Sequence, residues 1–102
     1  MSVLYVTEYA GVGFTQVGGS YAAVPIEPPL ADYPVSFASG VANSPTFQAR
    51  TILVRLATDA VCSVLFGVAP TATTSNGRLA ANQTEYRGVP DAGFQVSVIA
   101  NT

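Results

Sequence analysis

Alternation of apolar and polar side chains with a period of two dominates the second half of this chain. In residues 51–57, Ile52, Val54 and Leu56 share one face while Thr51, Leu53, Arg55 and Ala57 share the other, which predicts a strand with one wholly apolar side. The next run has faces Val61/Ser63/Leu65 and Cys62/Val64/Phe66, and Asp59 between the runs predicts a turn that joins them as a hairpin. Both runs are apolar enough to lie centrally in a sheet. Near the end, Phe94, Val96, Val98 and Ala100 form an apolar face against Gln95, Ser97 and Ile99, and Ile99, a large apolar residue on the polar side, is expected at an interface. Val35 and Phe37 alternate with Ser36 and Ala38, and residues 46–49 follow a turn region at 40–45. Residues 84–88 place their charges on one face and predict an edge strand, whereas 67–77, with Pro70 and the Asn76-Gly77 pair, predict a surface loop.

The first third reads differently. Residues 3–6 are short, apolar and β-prone, but Gly11, Gly13, Gly18 and Gly19 follow, and Pro28-Pro29 removes two backbone donors. The expectation is an extended, irregular N-terminal arm with a short first strand over residues 1–33, then a β-sandwich domain over 34–102. No window keeps an i, i+3, i+4, i+7 apolar stripe for longer than a turn, so helices are not expected. Short strands separated by Gly/Pro turns predict an all-β, two-sheet β-sandwich, with jelly-roll or immunoglobulin-like strand order unresolved by the pattern.

Composition changes the picture at the surface. Charged residues make up 10% of the 102 residues, against about 25% in ordinary soluble domains, and the net charge is −2. All four cations are arginines (Arg50, Arg55, Arg78, Arg87), with no lysine and no histidine. A chain with so few charges is expected to have part of its exterior covered by copies of itself or by a larger partner. Tyr5, Tyr9, Phe14, Tyr21 and Tyr33 all fall in the first third, and tyrosine buries area while keeping a polar tip. They are assigned, with Pro28, Pro29 and Ile99, to a docking interface rather than to the core.

Candidate chemistry narrows the function further. Cys62 is the single cysteine and sits in an apolar run, which fits a buried structural thiol; a nucleophile would need a base that a chain without histidine does not readily supply. The six acids Glu8, Glu27, Asp32, Asp59, Glu85 and Asp91 do not follow an oxygen-cage spacing, so neither a metal nor a cofactor is expected. The glycines at 11–19 lack the Gly-Lys-Ser/Thr of a phosphate loop. Glu85 and Asp91 lie in polar segments with nothing to raise a carboxyl pKa, so the chain is read as no enzyme. Arg55 near Asp59 predicts a local ion pair or an interface contact, and four arginines form no basic stripe, so nucleic acid is not an expected partner. No window reaches the roughly 18 apolar residues of a membrane helix, and Met1–Val6 shows no secretory pattern, so synthesis in the cytoplasm is expected and the Asn82-Gln83-Thr84 sequon is read as a chance match.

The segments Thr51-Ile-Leu-Val-Arg-Leu-Ala-Thr-Asp59, Cys62-Ser-Val, Phe66-Gly67, Ala69-Pro70-Thr-Ala-Thr, Arg78-Leu-Ala-Ala-Asn82, Glu85-Tyr86 and Val96-Ser-Val-Ile-Ala-Asn-Thr102 together cover roughly the last half of the chain. In these habits it resembles small virion structural proteins of tailed bacteriophages. The resemblance implies a capsid decoration, or cement, protein on the outer capsid surface of the virion. Its expected partners are the major capsid protein and further copies of itself, as a homotrimer. Two alternatives stand beside it: a tail or head–tail junction component, and a virion carbohydrate-binding module that uses Tyr86 and the polar loop 71–77 to bind a host glycan.

Overall fold

A computed structural model of the chain describes residues 2–17, 20–25, 27–90 and 93–101, and for 12, 14–17 and 20–24 it describes the backbone alone. Among the described residues there are ten strands and no helix: β1 (Val3–Tyr9), β2 (Val12–Val17), β3 (Ser20–Pro25), β4 (Ala31–Ser36), β5 (Ala42–Asn43), β6 (Leu53–Thr58), β7 (Cys62–Gly67), β8 (Gly77–Leu79), β9 (Thr84–Gly88) and β10 (Gln95–Ala100). Eight of them form two four-stranded sheets, ordered β4-β1-β6-β9 and β5-β10-β7-β8, and β2 pairs with β3. Every strand pairing is antiparallel.

The expected two-sheet sandwich is what forms. The first sheet contributes Leu4, Val6, Val35, Val54 and Leu56 to one core, and the second contributes Cys62, Val64, Leu79, Val96 and Val98. Phe37, Phe47 and Val89 from the connections fill the remaining space, and the ring of Phe47 packs tilted against that of Phe66 at 6.0 Å. Period-two alternation produces this arrangement, because each strand of an antiparallel sandwich has one face on the core and one away from it. Five connections (β4 to β5, β5 to β6, β6 to β7, β8 to β9 and β9 to β10) pass from one sheet to the other. Such wrapping is the habit of a jelly roll, and it differs from the order of an immunoglobulin sandwich.

Three expectations are corrected. The predicted hairpin of residues 51–57 and 61–66 does not form: β6 lies between β1 and β9 in one sheet and β7 between β10 and β8 in the other, so Asp59 sits in a crossover. Both strands are fully flanked, as their apolar composition required, but each buries its inner face against the opposite sheet. Ile52 lies before β6 and is exposed, leaving Val54 and Leu56 as the buried pair of that face. The irregular arm is also replaced by regular pairing. β1 extends to Tyr9 between β4 and β6, residues 12–25 form the β2–β3 hairpin, and the boundary expected at residue 33 falls inside β4. Glycines and prolines led to that expectation, yet Val12 through Val17 and Ser20 through Pro25 pair in full register across residues 18–19.

Candidate functional site

Alternation along β1 divides the first sheet's polar residues between two faces. Leu4, Val6 and Glu8 point toward the core, and Tyr5, Thr7 and Tyr9 point outward. Glu8 therefore extends the apolar row with a carboxylate that is only 1% exposed. Three donors meet it. The Tyr33 hydroxyl donates to Oε2 at 2.7 Å, while the Gln48 backbone N–H (2.9 Å) and the Thr51 hydroxyl (2.6 Å) donate to Oε1. A buried carboxylate is tolerated only with such partners. Burial, followed by the hydrogen bond to Glu8, pushes the Tyr33 phenol well above its ordinary value. The cluster ties the connection at 48–51, which arrives from the second sheet, to the end of β1.

On the outward face, register places one residue from each strand in a row: Asp32 on β4, Thr7 on β1, Arg55 on β6 and Tyr86 on β9. The Thr7 hydroxyl donates to Asp32 Oδ1 at 3.0 Å, and Arg55 Nη2 donates a long bond to Thr7 Oγ1 at 3.4 Å. In the adjacent row are Pro34, Tyr5, Ala57 and Thr84. At the far end of β1 the buried Tyr9 donates its hydroxyl to Glu27 Oε2 at 3.0 Å. Desolvation and that carboxylate raise the Tyr9 pKa, and the charge of Arg55 opposes them. Tyr5 (47%) and Tyr86 (52%) are the large side chains left open on this face.

Arg55 does not pair with Asp59. Asp59 Oδ1 instead accepts the Val3 backbone N–H at 2.7 Å, which holds the start of β1 to the crossover. Among the described residues the one salt bridge is Arg87 to Glu85, at 2.7 Å, on the inward side of edge strand β9. Arg87 also lies 6.0 Å from the centre of the Phe66 ring, so this pair closes the open side between the two sheets. Among the described residues no group of three His, Cys, Asp or Glu side chains is placed to hold a metal.

The outer face of the second sheet is covered by the chain itself. Ser97 and Ser63 point away from the core yet are fully buried, because residues 70–74 lie over them. Ala72 N donates to Ser97 Oγ at 2.9 Å, Asn43 Nδ2 to Pro70 O at 2.9 Å, and Asn101 Nδ2 to Ser63 Oγ at 2.7 Å and Thr74 O at 3.1 Å. The predicted surface loop thus packs across a sheet, with Ala72 buried beneath it. Tyr86 and this loop belong to opposite faces of the sandwich and do not form one site.

The eight expected interface residues are scattered. Tyr5 is open on the first sheet's outer face, Tyr9 is buried beside Glu27, and Tyr33 is half-buried on the inner side against Glu8. Pro28, after a cis Glu27–Pro28 bond, is exposed, Pro29 is half-buried, and Ile99 is half-buried on the second sheet's outer side. The side chains of Phe14 and Tyr21 lie outside the described residues, and their backbones belong to β2 and β3. Arg55, Thr7 and Asp32 were not foreseen as a group. The one local signal was a charged residue in the middle of an otherwise apolar strand. Comparison of the chain with protein-family models, with curated proteins and with solved structures finds no match.

Proposed function

We propose that this protein is a non-enzymatic structural component of a phage particle, a cement subunit that binds the outer capsid and ties neighbouring major capsid subunits together. The observation that carries the reading is the β2–β3 hairpin. It pairs with no strand of either sheet, and residues 10–26 contain no charged side chain. A lone two-stranded hairpin is marginal in water, and three strands or a packing partner are needed to hold one firmly. An uncharged hairpin beside a stable sandwich is therefore suited to docking on a neighbour, where it adds backbone hydrogen bonds along its free edges. The low charge content of the whole chain supports the same reading, since large areas covered in an assembly need few charges.

In a particle, many equivalent copies multiply a modest energy per contact, and a homotrimer joins three docking elements in one unit. No catalytic group is required for this role. The test is the copy number of the chain in purified particles, measured by quantitative mass spectrometry against the major capsid protein. A ratio near one supports capsid-wide cement. A few copies per hundred capsid subunits moves the protein to the tail or the head–tail junction and overturns the proposal.

A further inference from the structure

The outward side of the first sheet carries the exposed Asp32, Tyr86 and Tyr5 and the half-buried Arg55 around a buried Thr7, with the exposed Glu27 bonded to Tyr9 at the end of β1, and we propose that this mixed face binds a neutral oligosaccharide. This goes beyond the assembly role and does not depend on it. A sugar presents hydroxyls that both donate and accept, so a site for it needs donors and acceptors interleaved, together with flat apolar surface for the C–H faces of the rings. Arg55 is a donor only, the carboxylates of Asp32 and Glu27 are acceptors, and the hydroxyl of Tyr86 is both, while the buried Thr7 hydroxyl holds Asp32 and Arg55 in place. Tyr5 and Tyr86 supply the aromatic surface.

Arg55 is the chemical centre of this face. It is half-buried, its bond to Thr7 Oγ1 is long, and among the described residues no carboxylate lies within salt-bridge distance of it. Its guanidinium carries five N–H donors in a planar fork, and among the described residues the bond to Thr7 uses one of them, which leaves donors for a ligand. The neighbouring residue across β1 and β9 in the next row is Ala57, opposite Tyr5 and Thr84, which leaves a low floor between the two tyrosines. Tyr5 and Tyr86 stand on strands separated by β6, about 10 Å across the sheet. That span suits a chain of sugars more than a single ring.

Other occupants fit less well. An anionic ligand would meet the carboxylates of Asp32 and Glu27 against one arginine, and a nucleic acid needs several cations. A protein interface of standard type has an apolar centre depleted of charge, and here the centre is Thr7 and Arg55. The opposite sheet offers no equivalent, because residues 70–74 cover its outer face.

The experiment is a glycan array probed with the full-length chain, carrying neutral hexose and N-acetylhexosamine oligosaccharides beside sialylated and sulfated ones, followed by calorimetry with the strongest neutral binder. Wild type is expected to retain neutral glycans, and Tyr86→Ala and Tyr5→Ala, both at exposed positions, to weaken binding about tenfold. Val68→Ala, which changes an exposed residue on the β7–β8 connection, is expected to bind as wild type does. Retention of only the sialylated or sulfated sugars, no retention at all, or equal affinity for wild type and Tyr86→Ala would each overturn the proposal. Any of these results leaves the copy number in particles, and with it the assembly reading, untouched.

Discussion

Removing the Tyr33 hydroxyl tests the account of the buried carboxylate most directly. In Tyr33→Phe the ring stays in place and one bond to Glu8 Oε2, 2.7 Å long, is lost. A hydrogen bond to a charged group contributes about 1.5–3 kcal/mol. Because Tyr33 is only half-buried, water can reach part of the vacated position, so the expected loss is at the lower end, about 1.5–2 kcal/mol. For a domain of this size that lowers Tm by roughly 10 °C. Glu8→Ala should cost more, about 3–5 kcal/mol, since it strands the buried Thr51 hydroxyl and leaves a cavity in the row of Leu4 and Val6. Glu8→Gln should be milder than Glu8→Ala. Its amide oxygen can still accept from Gln48 and Thr51, and its NH2 can donate to the Tyr33 oxygen. Urea titration with linear extrapolation measures all three. Hydrogen exchange adds a local readout: the Gln48 amide, which donates to Glu8 Oε1, should exchange faster in Glu8→Ala and hardly change in Tyr33→Phe. A cost below about 1 kcal/mol for Glu8→Ala, or equal costs for the Gln and Ala variants, would show that the Glu8 carboxylate does not hold this corner of the core.

Tyr33 and Tyr9 both have raised pKa values in the folded state, so the unfolded chain loses its phenolic protons first; stability should be intact below about pH 10 and fall above it, by at most about 1.4 kcal/mol per pH unit for each tyrosine. Urea midpoints from pH 8 to 11 should show this decline, and Tyr33→Phe should make it shallower. The Cys62 thiol is fully buried, and desolvation raises its pKa despite its contact with Thr58, so a disulfide reagent should leave the native protein unlabelled and react on addition of denaturant; rapid native labelling would contradict the burial. Replacing residues 12–25 by a short Gly/Ser linker should leave the unfolding free energy within about 1 kcal/mol of wild type, because the hairpin pairs with neither sheet, and should abolish attachment to capsids. Large destabilisation would show that the hairpin is part of the sandwich's own support.

Local patterns carried the strands and much of the core. The alternation of Val54 and Leu56, of Val96 and Val98, and of Val35 and Phe37 marked buried positions correctly, and the charges of residues 84–88 marked an edge. Burial of Cys62 was legible from its apolar neighbours in the same way. These are properties of a strand and the water on one side of it, so a short window contains the needed information. Glu8 was not legible as a core residue, since nothing near it in sequence announces Tyr33, Gln48 and Thr51 as its partners.

Which strand lies beside which is settled by long-range packing. β6 and β7 are joined by three residues, and their pattern suits a hairpin as well as it suits two facing strands of different sheets. The choice depends on whether their apolar faces lie side by side or pack against each other, and packing of the two sheets on one core settles it. The outward row follows from the same cause: Asp32, Thr7, Arg55 and Tyr86 come together because register aligns four strands, one from each of four distant segments. A sequence by itself encodes which face each side chain takes, and the long-range pairing of backbones determines what that face contains.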